Sequence, residues 1–154
     1  MNKKNYKILL DTPFLLPFIG FKTDEVVMNC IEKLKEHEVY YSELSILEAL
    51  WKITKKIREL SSGQDYNRNN IVEVVANGIR AIRRDLNRAE ITEEAVKEAI
   101  KLYVLGHRDL IDNILYSITI TQEDVKFLTI DESLKTFIKS RNLRSDVFIM
   151  PLDL

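Results

Sequence analysis

Four acidic residues interrupt apolar segments of the chain, where a fold normally packs hydrophobic side chains. They are Asp11 in KILLDTPF, Glu48 in LSILEALW, Asp112 in RDLIDNILY and Asp131 in FLTIDESL. Carboxylates are rarely buried without a partner. If folding brings the four together, a shared divalent metal ion is the simplest explanation, and phosphate chemistry is the usual use of such a site.

Carboxylates gathered in one notch need a cation. Two like charges about 6 Å apart repel by roughly 3 kcal/mol at an effective dielectric near 20. Unless a cation is present, clustered carboxylates raise one another's pKa values or destabilise the sheet edge that carries them. Mg²⁺ or Mn²⁺ accepts oxygen ligands and keeps several waters. One water can then attack a phosphodiester, and a second ion about 4 Å away would complete a two-metal arrangement.

The chain alternates between apolar runs and amphipathic segments, which is typical of strands and helices. The predicted strands are residues 6–10, 39–41, 125–130 and 147–150. The predicted helices are a short one after residue 12, then 23–36, 42–59, 71–85, 92–105, 108–121 and 132–140. Strands separated by helices predict an α/β fold in which helices cover both faces of a mainly parallel sheet.

Capping residues set the predicted helix ends. Thr12, Thr23 and Thr92 can each cap a helix, Pro13 suits a first helical position, and Gly106 suits a stop. The apolar faces predicted for two of the helices comprise Val26, Val27, Cys30, Ile31 and Leu34 in one, and Leu44, Leu47, Leu50, Trp51 and Ile57 in the other.

The sheet edge and the helix wheel place the acids. Asp11 and Asp131 each follow a predicted strand directly, so both belong at the carboxyl edge, where ligands bind in parallel sheets. Glu48 falls on the border of an apolar stripe, and Asp112 lies just outside another. Asp109, one turn before Asp112, competes with it for the third acidic position.

Each acid also has a purely structural explanation. Asp11 can assist the cap at Thr12, and Asp131 favours the N-terminus of the helix that follows it. Glu48 and Asp112 can be residues at the boundary between core and solvent. These alternatives are weaker for the four acids together than for any one of them.

Composition predicts one globular domain over residues 1–154, with a net charge of −1 that selects no partner. Residues 52–88 contain nine Lys or Arg and only four Asp or Glu. This region is either a pair of solvated helix faces or a phosphate-binding patch. The candidate phosphate contacts are Lys55, Arg58, Arg83 and Arg84.

Other chemistries find little support in the sequence. Cys30 is the only cysteine, so no disulfide forms within the chain and a cytoplasmic, reducing environment fits. His37 and His107 lack zinc-ligand spacing, and His107 is predicted to be a surface or capping residue. The glycines are isolated, which disfavours nucleotide-binding loops and a serine hydrolase elbow. No segment approaches transmembrane length, so no membrane partner is expected.

The order of the acidic segments resembles that of the PIN-domain ribonucleases, especially the VapC-like toxins of toxin–antitoxin pairs. LLDTPFLL is similar to the family's opening strand with its first aspartate, and YYSELSILEALWK to the segment with its glutamate. DNILYSIT is similar to the helix with the third acid, and FLTIDESL to the closing strand with a Thr-x-Asp signature. The likeness runs from about residue 7 to residue 150.

The resemblance implies a three-layer α/β/α fold and an Mg²⁺- or Mn²⁺-dependent endoribonuclease, commonly a homodimer with an antitoxin partner. It implies catalytic and metal-binding roles for Asp11, Glu48, Asp112 and Asp131. Asp109 is a further metal-ligand candidate, and the motif threonines Thr12 and Thr129 are candidate substrate contacts.

Two departures accompany the resemblance. The third motif continues with the bulkier residues YSIT where the family has small ones, and the stretch 61–88 is longer than in compact members. The alternative is a non-catalytic PIN-like domain that binds RNA or a protein partner, with the acids as structural residues or relics.

Overall fold

Five parallel strands form one sheet at the centre of the part of the chain that the computed structural model describes, residues 4–60 and 68–154. The strands are β1 (Lys7–Leu10), β2 (Glu38–Tyr41), β3 (Asn87–Arg88), β4 (Val125–Leu128) and β5 (Phe148–Ile149). The helices are α1 (Glu25–Leu34), α2 (Glu43–Leu60), α3 (Arg68–Asp85), α4 (Glu93–Leu105), α5 (Leu110–Thr121) and α6 (Glu132–Ser140). Short 3-10 helices span Thr12–Phe14, Leu16–Ile19 and Pro151–Asp153.

The strand order is β3-β2-β1-β4-β5. The chain adds β2 and β3 on one side of β1 and then β4 and β5 on the other, so the switch point lies between β1 and β4. These two strands pair in parallel with Leu10 opposite Leu128, and the Asp11 N–H donates to the Leu128 carbonyl at 3.0 Å. The connections leaving β1 and β4 therefore diverge to opposite sides and leave a crevice at the carboxyl edge. Ligands bind at such a switch point in open parallel sheets.

Apolar side chains cover both faces of the sheet, which confirms the predicted α/β fold with three layers. Ile8 and Leu10 of β1 pack in a cluster with buried residues of α1, α2 and α3. Leu9 points the other way and packs in a cluster with residues of α4, α5 and α6. This alternation along β1 follows from the two-residue period of a strand. None of the described helices is long and apolar enough to cross a membrane.

The apolar face predicted for α2 is partly wrong. Leu47 and Trp51 are exposed, at 64% and 71%, while Ile46, Ala49 and Ile53 are buried. Apolar residues occur around most of this helix, so hydrophobicity alone does not select the buried stripe. The buried stripe of α2 runs through Ile46, Ala49 and Ile53, and Trp51 lies outside it. Val26 of α1, predicted to face inward, is likewise 51% exposed.

Capping corrects some predicted helix starts. Asp11, not Thr12, caps the first 3-10 helix, because its carboxylate accepts the Thr12 N–H. The cap of α1 is Asp24 rather than Thr23. The predicted start of α4 at Thr92 and its stop at Gly106 are confirmed. The strand β3 was not predicted, since its two residues are polar and exposed.

Gly78 lets α3 pack directly against the segment that follows Asp11. A Cβ atom at this position would lie 2.5 Å from the Cα atom of Ile19. Only a residue without a side chain permits that approach. The close contact holds the 3-10 helix Leu16–Ile19 against α3 and so helps to fix the polypeptide downstream of Asp11.

Candidate active site

Five carboxylates line a single cleft of about 170 Å³ at the carboxyl edge of the sheet. The cleft is lined by Asp11, Pro13, Glu48, Lys52, Asp109, Asp112, Ile130 and Asp131. The structure therefore brings together all five acids that the sequence proposed as catalytic residues or metal ligands. They come from segments that are far apart in the chain, and folding alone makes them neighbours.

Each acid reaches the cleft from the end or the first turns of an element. Asp11 follows β1 directly, and Asp131 comes three residues after the end of β4 as the cap of α6. Glu48 lies in the second turn of α2. Asp109 caps α5, and Asp112 lies in its first turn.

Thr129 links the acids of the two central strands. Its hydroxyl donates to Asp11 Oδ2 at 2.7 Å and accepts the Asp131 N–H at 3.0 Å. The Thr12 N–H donates to Asp11 Oδ1 at 2.7 Å. Both threonines are fully buried. From these buried positions the two threonines can orient the carboxylate of Asp11, but they are poorly placed for the direct substrate contacts that the sequence proposed.

Asp112 and Asp131 are joined by a hydrogen bond, and their pKa values shift in opposite directions. Burial raises the pKa of Asp112 to about 9, and the hydrogen bond to Asp131 and the charges of Asp11 and Asp109 add to the shift. Burial also acts to raise the pKa of Asp131, but the hydrogen bonds that it accepts from Asp112 and Ser133 outweigh burial and lower it. At neutral pH the pair therefore carries one negative charge, with Asp112 as the donor.

Asp11 is almost completely buried, with only 5% of its surface exposed. Burial raises the pKa of Asp11, while the hydrogen bonds from Thr129 and Thr12 oppose that rise. The charge of Glu48 raises this pKa further, and the charge of Lys52 lowers it. The cleft therefore disfavours additional negative charge, as expected for acids gathered without enough cations.

Lys52 is the basic side chain in the lining, and sequence analysis did not select it. Its Nζ atom lies 3.0 Å from Glu48 Oε1, one helical turn away. Within residues 4–60 and 68–154, no three or more Asp, Glu, His or Cys side chains are arranged so that they could already hold a metal ion. Instead, Glu48 contacts Lys52, Asp112 contacts Asp131, and Asp11 accepts from two threonines.

The donor set nevertheless fits a hard divalent cation. The cleft offers carboxylate oxygens from five residues and no imidazole or thiolate, which is the ligand chemistry of Mg²⁺ and Mn²⁺. Burial raises the pKa values of Asp11 and Asp112, and neighbouring carboxylates add to both shifts, so a bound cation would favour the ionised forms. Ion binding requires the carboxylates to exchange their present partners for the cation.

Helix capping accounts for three of the five acids, Asp11, Asp109 and Asp131, but not for Glu48 and Asp112. Asp131 accepts the N–H groups of Ser133 and Leu134 at 2.8 and 3.3 Å, and Asp109 accepts the Asp112 N–H at 3.1 Å. Capping does not explain why Asp112 is buried, because its side chain caps no helix and burial disfavours its charged form.

A buried pair supports the turn that carries Asp109, and sequence analysis missed it. His107 Nδ1 lies 2.7 Å from Asn113 Oδ1, and Asn113 Nδ2 donates to the His107 carbonyl at 2.8 Å. His107 is 9% exposed and packs on Phe137, so its predicted surface position is wrong. The available signal was Asn113, an amide within an otherwise apolar run.

Solved structures share this fold, although no protein-family model and no curated protein matches the sequence. A chain of a toxin–antitoxin complex from Klebsiella pneumoniae aligns with a TM-score of 0.58 and 12% identity, covering 96% of this chain and 99% of that one. A chain of VapBC2 from Rickettsia felis, crystallised with a DNA fragment from its promoter, aligns with a TM-score of 0.59 and 13% identity, covering 94% and 98%. At this identity the likeness shows a common fold over nearly the whole chain.

The candidate phosphate contacts lie outside the cleft lining and differ in their surroundings. Arg83 binds Glu43 through two hydrogen bonds of 2.8 and 3.1 Å, and Arg84 binds the neighbouring Asp85. Their guanidinium groups are thus already engaged within the chain. Lys55 and Arg58 are exposed on α2. Tyr66, which the sequence predicts to be an exposed loop tyrosine or, alternatively, a base-stacking residue, lies outside the described residues.

Proposed function

We propose that the protein is a divalent-metal-dependent endoribonuclease and the toxin of a toxin–antitoxin pair. The observation that carries the proposal is the gathering of Asp11, Glu48, Asp109, Asp112 and Asp131 in one cleft at the switch point of the sheet. The shared fold with chains of toxin–antitoxin complexes supports it. So does the order of the acidic motifs along the chain.

Asp11, Asp112 and Asp131 would hold the ion, with Glu48 and Asp109 on the rim of the site. A bound Mg²⁺ or Mn²⁺ would supply a Lewis acid that activates water and neutralises charge on the phosphodiester. Thr129 fixes the carboxylate of Asp11 relative to the backbone of Asp131. Asp112 would give up its proton, so that the pair presents two full carboxylates. Lys52 would turn from Glu48 to a phosphate oxygen of the substrate.

An antitoxin and a second copy of the chain are proposed as partners. The ion pair of Lys52 with Glu48 shows that an ammonium group fits beside the acids. An antitoxin that inserts Lys or Arg there would block the site by charge. Homodimer formation is supported by an exposed apolar stripe on α4, which comprises Val96, Ile100 and Val104.

The test of this function is metal-dependent RNA cleavage. Purified protein should cut single-stranded RNA when Mg²⁺ or Mn²⁺ is added, and cleavage should stop when EDTA is in excess, because the acids alone cannot neutralise the phosphodiester. Cleavage is followed on a labelled RNA by gel electrophoresis. Activity that is unaffected by EDTA, or no activity with either ion, would count against the proposal.

The second candidate is a non-catalytic domain of the same fold that binds RNA or a protein. The observation that favours it is that the acids already have internal partners, with Glu48 on Lys52 and Asp109 and Asp131 on helix N-termini. In that case Mn²⁺ should not bind in the cleft, while RNA binding should persist and weaken with salt.

A further inference from the structure

An exposed apolar pair lies on α2 beside the acidic cleft. Leu47 and Trp51 are one helical turn apart and are 64% and 71% exposed. Tryptophan is normally buried to a large extent, and its indole N–H normally finds a partner. Among the described side chains, the Trp51 indole has neither a ring contact nor a hydrogen bond. The indole is therefore accessible to a ligand.

The helix geometry places this pair at the margin of the cleft. Glu48 and Lys52 line the cleft and are the immediate chain neighbours of Leu47 and Trp51. Consecutive residues differ by about 100° around a helix and about 1.5 Å along it. The indole therefore lies next to the acids, on the outer side of the same helix.

Positive charge lies beside the indole. Lys52 directly follows Trp51, and Lys55 and Lys56 follow one turn later, about 6 Å further along the helix. All three lysines are exposed and lie on the C-terminal side of Trp51. An aromatic ring beside cationic side chains suits a nucleic acid single strand, since the ring stacks on a base and the cations contact the adjacent phosphates.

We propose that Trp51 is a stacking platform for an unpaired nucleobase next to the scissile phosphate, with Leu47 extending its apolar surface and Lys52 and Lys55 contacting the flanking phosphates. This inference rests on the proposed ribonuclease function and specifies its substrate as single-stranded RNA. In a duplex, the bases are stacked on one another and cannot reach the indole. A protein partner would have to place acidic side chains against the three lysines, whereas RNA supplies a phosphate at every nucleotide.

The chain contains a single tryptophan, so its fluorescence reports on this position alone. Titration of the full-length protein with a short oligouridylate in EDTA, where no cleavage occurs, should quench the indole emission in a saturable manner. Inorganic polyphosphate should compete for the lysines without quenching, because it has no bases. An RNA duplex should quench much less than the single strand.

Variants separate stacking from charge attraction. Trp51→Ala should weaken binding of a labelled oligouridylate about tenfold or more, measured by fluorescence anisotropy, and Trp51→Phe should restore most of the affinity. Val26→Ala removes an exposed apolar side chain from α1, away from the cleft lining, and should change nothing. Binding of oligouridylate without quenching, equal affinity in Trp51→Ala, or no binding at all would overturn the inference. Metal-dependent cleavage is measured separately. If the wild type cleaves RNA with Mg²⁺ or Mn²⁺ and Trp51→Ala binds RNA equally well, the ribonuclease function stands and the stacking role of Trp51 is wrong.

Discussion

Asp11→Asn should reduce metal-dependent RNA cleavage by a factor on the order of 10³ or more. Asp11 follows the central strand β1 and is only 5% exposed. Its two carboxylate oxygens accept hydrogen bonds from Thr129 and Thr12. Asparagine has nearly the same shape, but it lacks the charge and one of the two acceptor oxygens. The fold should survive, which circular dichroism and thermal melting can check, while activity on labelled RNA falls.

The matched control is Asp124→Asn, the same chemical change at the opposite edge of the sheet. Asp124 directly precedes β4 and has a left-handed backbone with a φ of 58°, which asparagine adopts readily. This variant should cleave at the wild-type rate. Equal activity in Asp11→Asn and wild type would show that the assigned cleft is not where cleavage occurs.

Asp112→Asn should stabilise the metal-free protein at pH 8 and at the same time remove its response to Mn²⁺. Burial raises the pKa of Asp112 to about 9 in the folded protein, against an ordinary value of 3.8. The folded state therefore binds a proton that the unfolded state has released, so this group costs stability increasingly as pH rises from about 4 towards 9. Asparagine removes that cost and can still donate to Asp131.

The expected gain is about 2 kcal/mol at pH 8 in EDTA, and it should shrink as the pH falls to 5. Chemical denaturation across this pH range measures it. Mn²⁺ should raise the melting temperature of the wild type, and more at pH 8 than at pH 6, because ion binding requires Asp112 to lose its proton. Asp24→Asn, an exposed cap outside the cleft lining, is the control. Destabilisation of Asp112→Asn at every pH would mean that the ionised carboxylate is needed for folding itself.

The fold was predictable because its main elements carry strong local signals. The apolar runs before Asp11 and before Thr129 are buried strands, and Thr92 and Gly106 mark the two ends of α4. A parallel sheet then places the ends of β1 and β4 at one edge, whatever the details of packing. For that reason the sequence alone predicts that Asp11 and Asp131 lie close together.

Side-chain partners were less predictable, because they depend on contacts between distant elements. The buried stripe of α2 was placed wrongly at Leu47 and Trp51, since several apolar stripes run along this helix and only packing against the core selects the one through Ile46, Ala49 and Ile53. The raised pKa of Asp112 depends on burial, which no local pattern reveals. The pairing of His107 with Asn113 spans only six residues, but it depends on the conformation of the turn before α5, which the apolar pattern does not define.

The most direct test of the proposed metal site is a Mn²⁺-soaked crystal analysed by anomalous diffraction. We expect a manganese peak in the cleft, with oxygens of Asp11 and of the Asp112–Asp131 pair at about 2.0–2.3 Å, and with Lys52 displaced from Glu48. A fully soaked crystal with no peak there, and with the Lys52–Glu48 and Asp112–Asp131 contacts unchanged, would contradict it.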